Sequence, residues 1–78
     1  MKSATIRLSS IESVRNFVDV VRKYNMDIDL SSGRYLVDAK SIMGIFSLDL
    51  MNPIKLTAHS DDCTELFDEL KEYVIETE

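Results

Sequence analysis

Lys40-Ser41-Ile42-Met43-Gly44-Ile45-Phe46-Ser47-Leu48 is the stretch whose reading decides the fold. Ser41 stands just before apolar residues at helical spacing: Ile42, Ile45 and Phe46. A serine in that place caps a helix, because its side-chain oxygen accepts a hydrogen bond from an amide of the first turn. A short helix therefore begins at Ile42. Upstream, Met26, Ile28 and Leu30 alternate with Asp27 and Asp29, the period of a half-buried strand. Ser31-Ser32-Gly33-Arg34 has the composition of a turn, and Tyr35 and Val37 alternate after it. Two strands thus form a hairpin that runs directly into the capped helix. Downstream, Leu50-Met51-Asn52-Pro53 leads into another alternating strand, Ile54-Lys55-Leu56-Thr57-Ala58.

The flanks complete the pattern. Ala4-Thr5-Ile6-Arg7-Leu8 alternates and predicts a first strand. Ser9 and Glu12 stand at capping-box spacing, and Ile11, Val14, Phe17, Val18, Val21 and Tyr24 then fall on one helical face, with Asn25 as the stop. Asp62 and Glu65 have the same capping-box spacing before a last helix, whose apolar face is Cys63, Leu66, Phe67, Leu70, Tyr73 and Val74. The predicted class is α+β in the order β-α-β-β-α-β-α. Its architecture is an open-faced sandwich: a four-stranded antiparallel sheet with three helices on one face, burying every stripe in two layers. Val18, Val21, Leu66, Phe67 and Leu70 are expected in the core.

The 78 residues, 45% apolar and 29% charged, suit one domain spanning residues 1–78. The net charge is −5; residues 1–40 carry seven basic and five acidic side chains, and residues 41–78 two basic and nine acidic. So acidic a chain makes a poor nucleic-acid ligand, since that affinity comes mostly from neutralising phosphates. No apolar run is long enough for a membrane span, and no signal-peptide core opens the chain. With Cys63 the only cysteine, no intrachain disulfide can form. These features predict a cytoplasmic protein without nucleic-acid or membrane partners. No metal-ligand spacing, Gly-rich phosphate loop or nucleophile–base pair stands out, so no cofactor, metal or enzymatic activity is expected.

The stretch from Val37 to Gly44, together with Asp27-Ile28-Asp29-Leu30 and the element order, resembles the HPr family. Its members are small histidine-containing phosphocarriers of the bacterial sugar phosphotransferase system. The similarity spans nearly the whole chain and is most specific at Lys40-Ser41-Ile42-Met43-Gly44. By this resemblance Ser41 is a regulatory phosphorylation site, the target of a dedicated HPr serine kinase. Ile42, Met43 and Phe46 then form the apolar docking patch around it. The partners implied are that kinase, a transcriptional regulator of carbon use, and phosphotransferase-system proteins.

The first helix departs from the family. Where HPr reads Gly-Leu-His-Ala-Arg-Pro-Ala, this chain has Ser10 in place of the carrier histidine, Glu12 in place of the arginine and Ser13 in place of the proline. Ser10 and Glu12 are thus read as a degenerate carrier site. The connection between Leu48 and Ile54 is about two residues shorter than the family's, and Asp49 replaces its glycine. His59, the only histidine, falls at the end of the fourth strand, far along the chain. The expected function is a non-catalytic regulatory or adaptor protein, similar in outline to the family's catabolite-repression branch. An atypical phosphotransferase-system component and an unmodified interaction module are the alternatives. The resemblance also suggests that the two helix starts lie close together, which would set Glu12 against a phosphate on Ser41.

Overall fold

The structure, a computed structural model, describes residues 1–77. The elements are β1 (Lys2–Ile6), α1 (Ile11–Val21), β2 (Asp27–Ser32), β3 (Tyr35–Asp38), α2 (Ile42–Phe46), β4 (Ile54–His59), α3 (Thr64–Glu69) and β5 (Val74–Thr77). All pairings are antiparallel, in the order β3-β2-β4-β1-β5. Alternation does the sorting. Ala4, Ile6, Ile28, Leu30, Ile54, Leu56 and Ala58 point into one buried cluster with Val14, Phe17, Val18, Val21, Ile45, Leu66, Phe67 and Leu70 from the helices. Between them Ser3, Thr5, Asp27, Asp29, Lys55, Thr57 and His59 take the other face of the sheet, which no helix covers. The five core residues expected from the sequence are all buried, as is Cys63.

Among the described residues the sheet has five strands, not four. The last helix stops at Leu70, well short of Tyr73 and Val74, which the helical spacing had assigned to it. The amide of Tyr73 donates to the Leu70 carbonyl at 2.9 Å, and the chain turns into β5 alongside β1. Tyr73 is buried all the same, its ring edge-on to Phe17 with centroids 5.8 Å apart. Val74 and Ile75 are β-branched and gain more from the free edge of β1 than from another helical turn.

Two caps also differ from expectation. The first helix starts one residue later than Ser9 would require, and Ser10 caps it in partnership with Ser13 rather than Ser9 with Glu12. Ile11 consequently lies in the first turn and is exposed, outside the apolar face assigned to it. At α3 the cap is Cys63, which makes no side-chain bond to the first turn. Asp62 instead accepts from the Thr64 amide at 3.2 Å, a tight Asx turn rather than a capping box with Glu65. The hairpin turn is only Gly33-Arg34, with Ser31 and Ser32 inside β2. Gly33 has φ +59°, as the first position of a type II′ turn requires.

Candidate functional site

The α1 start is built from two serines. Ser10 Oγ accepts the Ser13 amide at 3.0 Å, and Ser13 Oγ accepts the Ser10 amide at 3.0 Å while donating to the Ser10 carbonyl at 2.8 Å. Both hydroxyls are occupied in fixing the helix start. Ser10 lies on a shallow groove with Arg7, Leu8 and Ile11 on one wall and Leu48, Leu50 and Met51 on the other. Glu12 is exposed in the first turn. Its carboxylate complements the helix dipole there, and it would repel an incoming phosphoryl group.

The Ser41 segment is anchored from three sides. Asp38 holds it from β3: its carboxylate accepts the Lys40 amide at 2.8 Å and its carbonyl accepts the Ser41 amide at 3.0 Å. Ser41 Oγ accepts the Gly44 amide at 3.2 Å and caps α2. Gly44 is needed for close approach, since a Cβ there would stand 3.2 Å from Val37 Cβ and 3.3 Å from Ser41 Oγ. From the end of α1, Lys40 Nζ donates to the Tyr24 carbonyl at 2.5 Å and Arg22 Nε donates to the Lys40 carbonyl at 3.3 Å.

These bonds correct one expectation. The two helices run in opposite senses, so the end of α1, not its start, meets the beginning of α2. The start of α1 faces the residues after α2, Leu48 to Met51. Glu12 precedes Arg22 by ten residues, about 15 Å along the axis. Arg22, not Glu12, is therefore the charged α1 side chain bonded next to Ser41. Spacing within each helix carries no information about this; only the packing of α1 on α2 reveals Arg22.

The end of α1 is itself tied down. Lys23 Nζ lies 2.6 Å from Glu69 Oε1 on α3, and the Tyr24 hydroxyl donates to the other oxygen of the same carboxylate. The Lys23 ammonium, then the Tyr24 hydroxyl, holds the Glu69 carboxyl below its ordinary range. The hydrogen bond to Glu69 in turn pushes Tyr24 up to about 12. The cluster fixes the backbone that presents the Tyr24 carbonyl to Lys40.

Around Ser41 the apolar side chains divide. Met43 is 79% exposed and Phe46 42%, whereas Ile42 is half-buried and packs against the core. Ile11, which helical spacing had assigned to the core, and Met51 are 68% and 85% exposed. Ile11 lines both the groove leading to Met51 and a second groove shared with Ile42. Met43 and Phe46 line neither groove, and between Ile11 and Ile42 the second groove is edged by Glu12, Arg15, Asn16, Asp19 and Arg22.

His59 is not part of this site. It lies on the uncovered sheet face, with Nε2 2.7 Å from Asp29 Oδ2, in a depression that also holds Asp27, Asp38 and Lys40. Three carboxylates against one ammonium make that depression hostile to phosphate. Among the described residues no group of three or more His, Cys, Asp or Glu side chains is arranged to hold a metal ion, and no helix is long and apolar enough to cross a membrane.

Comparison with known families and structures agrees with this fold. Residues 13–76 match the family model described as the PTS HPr component phosphorylation site. Among solved structures, the chain is similar to HPr from Thermoanaerobacter tengcongensis, at 33% identity over 92% of this chain and 89% of that one, with a TM-score of 0.79. It is similar to the phosphocarrier HPr of Bacillus anthracis at 27% identity, covering 92% of this chain and 94% of that one, with a TM-score of 0.70. It is also similar to Crh, the catabolite repression containing protein of Bacillus subtilis, at 27% identity, covering 94% and 82%, with a TM-score of 0.66. No curated protein sequence matches.

Proposed function

The chain belongs to the HPr family of the sugar phosphotransferase system, and on that premise we propose that it is a regulatory adaptor that does not carry the system's phosphoryl group. The observation behind this reading is the start of α1. Ser10 is read as standing at the family's carrier position, and its hydroxyl is engaged with Ser13 in capping the helix. A phosphohistidine is a labile phosphoramidate that passes its phosphoryl group onward. A phosphoserine is a stable ester and would stall the relay. Glu12 adds like charge where the family's arginine would attract phosphate. The family match itself begins three residues past Ser10.

Ser41 is the regulatory site in this reading. An HPr serine kinase transfers the terminal phosphoryl group of a nucleoside triphosphate to Ser41 Oγ, the hydroxyl losing its proton. The apolar side chains of Met43, Phe46, Ile42, Ile11 and Met51 then dock the kinase and the carbon-use regulator. In support, Met43, Phe46, Ile11 and Met51 are exposed and Ser41 is only half-buried.

The test has two arms. Incubation with Enzyme I and labelled phosphoenolpyruvate is expected to leave the protein unlabelled; stoichiometric acid-labile label overturns the adaptor reading. Incubation with the serine kinase is expected to label the wild type and not Ser41→Ala. Absence of Ser41-dependent label removes the regulatory site and leaves an unmodified interaction module.

A further inference from the structure

We propose that Arg22 is the internal partner of phosphorylated Ser41, holding the phosphate as an ion pair within the same chain. The inference rests on the proposed Ser41 modification and specifies how the modified site is regulated. Arg22 closes α1 and already donates from Nε to the Lys40 carbonyl at 3.3 Å. That carbonyl is five covalent bonds from Ser41 Oγ, a separation of roughly 5 Å or less. The two Nη groups extend beyond Nε, within reach of a phosphate on Ser41.

Three neighbouring donors are already committed, which leaves the Ile42 and Met43 amides of the first turn of α2 and Arg22 to meet a phosphate. The Ser41 amide is bonded to Asp38, the Gly44 amide to Ser41 Oγ and Lys40 Nζ to the Tyr24 carbonyl. The carboxylate nearest in sequence, Asp38, accepts the Lys40 amide and adds negative charge on the strand side. A phosphoserine carries about −1.5 to −2 charges and three acceptor oxygens. A planar guanidinium meets two of those oxygens at once. Glu12 and Asp19 line the same α1 groove as Arg22, but Glu12 is at its far end.

The consequence is a phosphate neutralised from within. A regulator that recognises phosphoserine through its own basic groups must compete with Arg22, so the internal pair sets the strength of the signal.

The test installs phosphoserine at position 41 by genetic-code expansion, which makes it independent of any kinase. Phosphorus NMR then follows the second ionisation of the phosphate against pH. One positive charge at about 5 Å in water lowers that ionisation by about 0.5 unit. Arg22→Gln is expected to raise it by that amount, Arg22→Lys to restore part of the lowering, and Glu12→Gln to change it little. Arg22 is exposed, so these variants keep the fold. Identical titrations for the wild type and Arg22→Gln overturn the proposal. So does a Glu12→Gln shift as large as that of Arg22→Gln, which would place Glu12 at the phosphate. Failure of the kinase to label Ser41, with the installed phosphate still sensitive to Arg22, refutes the kinase reading alone.

Discussion

Replacing Leu70 with alanine tests whether α3 and the turn after it are docked as described. Leu70 is fully buried and closes α3, with its amide bonded to the Leu66 carbonyl at 3.0 Å and its carbonyl to the Tyr73 amide at 2.9 Å. Alanine keeps both backbone bonds, so the cost is one of packing. Truncating a buried leucine costs about 2–5 kcal/mol, from lost burial and the cavity left behind. A chain of 78 residues has a total stability of roughly 4–12 kcal/mol. Leu70→Ala therefore removes a large share of it. For a domain of this size each kcal/mol moves Tm by about 4–8 °C, so a fall of at least about 8 °C is expected by calorimetry. Hydrogen exchange adds a local readout: because the Leu70–Tyr73 turn launches β5, the β5 amides should lose protection first. Met51→Ala, on an exposed side chain, serves as the control and should change stability by less than about 0.5 kcal/mol. A Leu70→Ala melting point within about 3 °C of wild type would refute the docking of α3.

Four further outcomes are expected. The depressed Glu69 carboxyl stabilises the fold above its unfolded value of 4.5, and that contribution is lost as pH falls through the folded value; Glu69→Gln should flatten the acid limb of a Tm-against-pH profile. The raised Tyr24 contributes fully below 10.0 and loses its contribution as pH rises through about 12, so alkaline absorbance titration of wild type should show a late-ionising phenol that Tyr24→Phe removes. Ser10→His combined with Glu12→Arg should accept acid-labile phosphate from Enzyme I, whereas Ser10→His alone should accept much less; equal labelling would show that Glu12 does not oppose the transfer. If the proposed docking holds, Met43→Asp, on a side chain 79% exposed, should leave Tm unchanged and weaken kinase and regulator binding at least about tenfold, measured by titration.

How far the sequence reveals this molecule depends on the range of the interaction concerned. Local signals read well. Alternation at Ile28 and Leu30 and at Ile54 and Leu56 placed central strands correctly, because one face of each is buried and one is not. Ser41 before Ile42 identified the short helix because an N-cap acts within a single turn. At the α1 start the same logic slipped by one residue, since Ser9 and Ser10 both offer a hydroxyl and the choice rests on which of Glu12 and Ser13 answers it. β5 was illegible for a different reason. Tyr73 and Val74 continue the apolar spacing of α3, and only the unpaired edge of β1, some seventy residues earlier, makes a strand the better outcome there. The site follows the same division. Ser41 as the cap of α2 was legible from its own segment, while the Arg22 bond to the Lys40 carbonyl was not, because it is a property of two helices lying in opposite directions. That arrangement also separates the roles of the two charges. On the proposed reading, Glu12 stands beside the carrier position and opposes phosphate there, and Arg22 stands beside Ser41 and attracts it. Ordinary carrier function would place the opposite charge at the start of α1, so the proposed regulatory reading stands or falls with the Ser10→His, Glu12→Arg transfer assay.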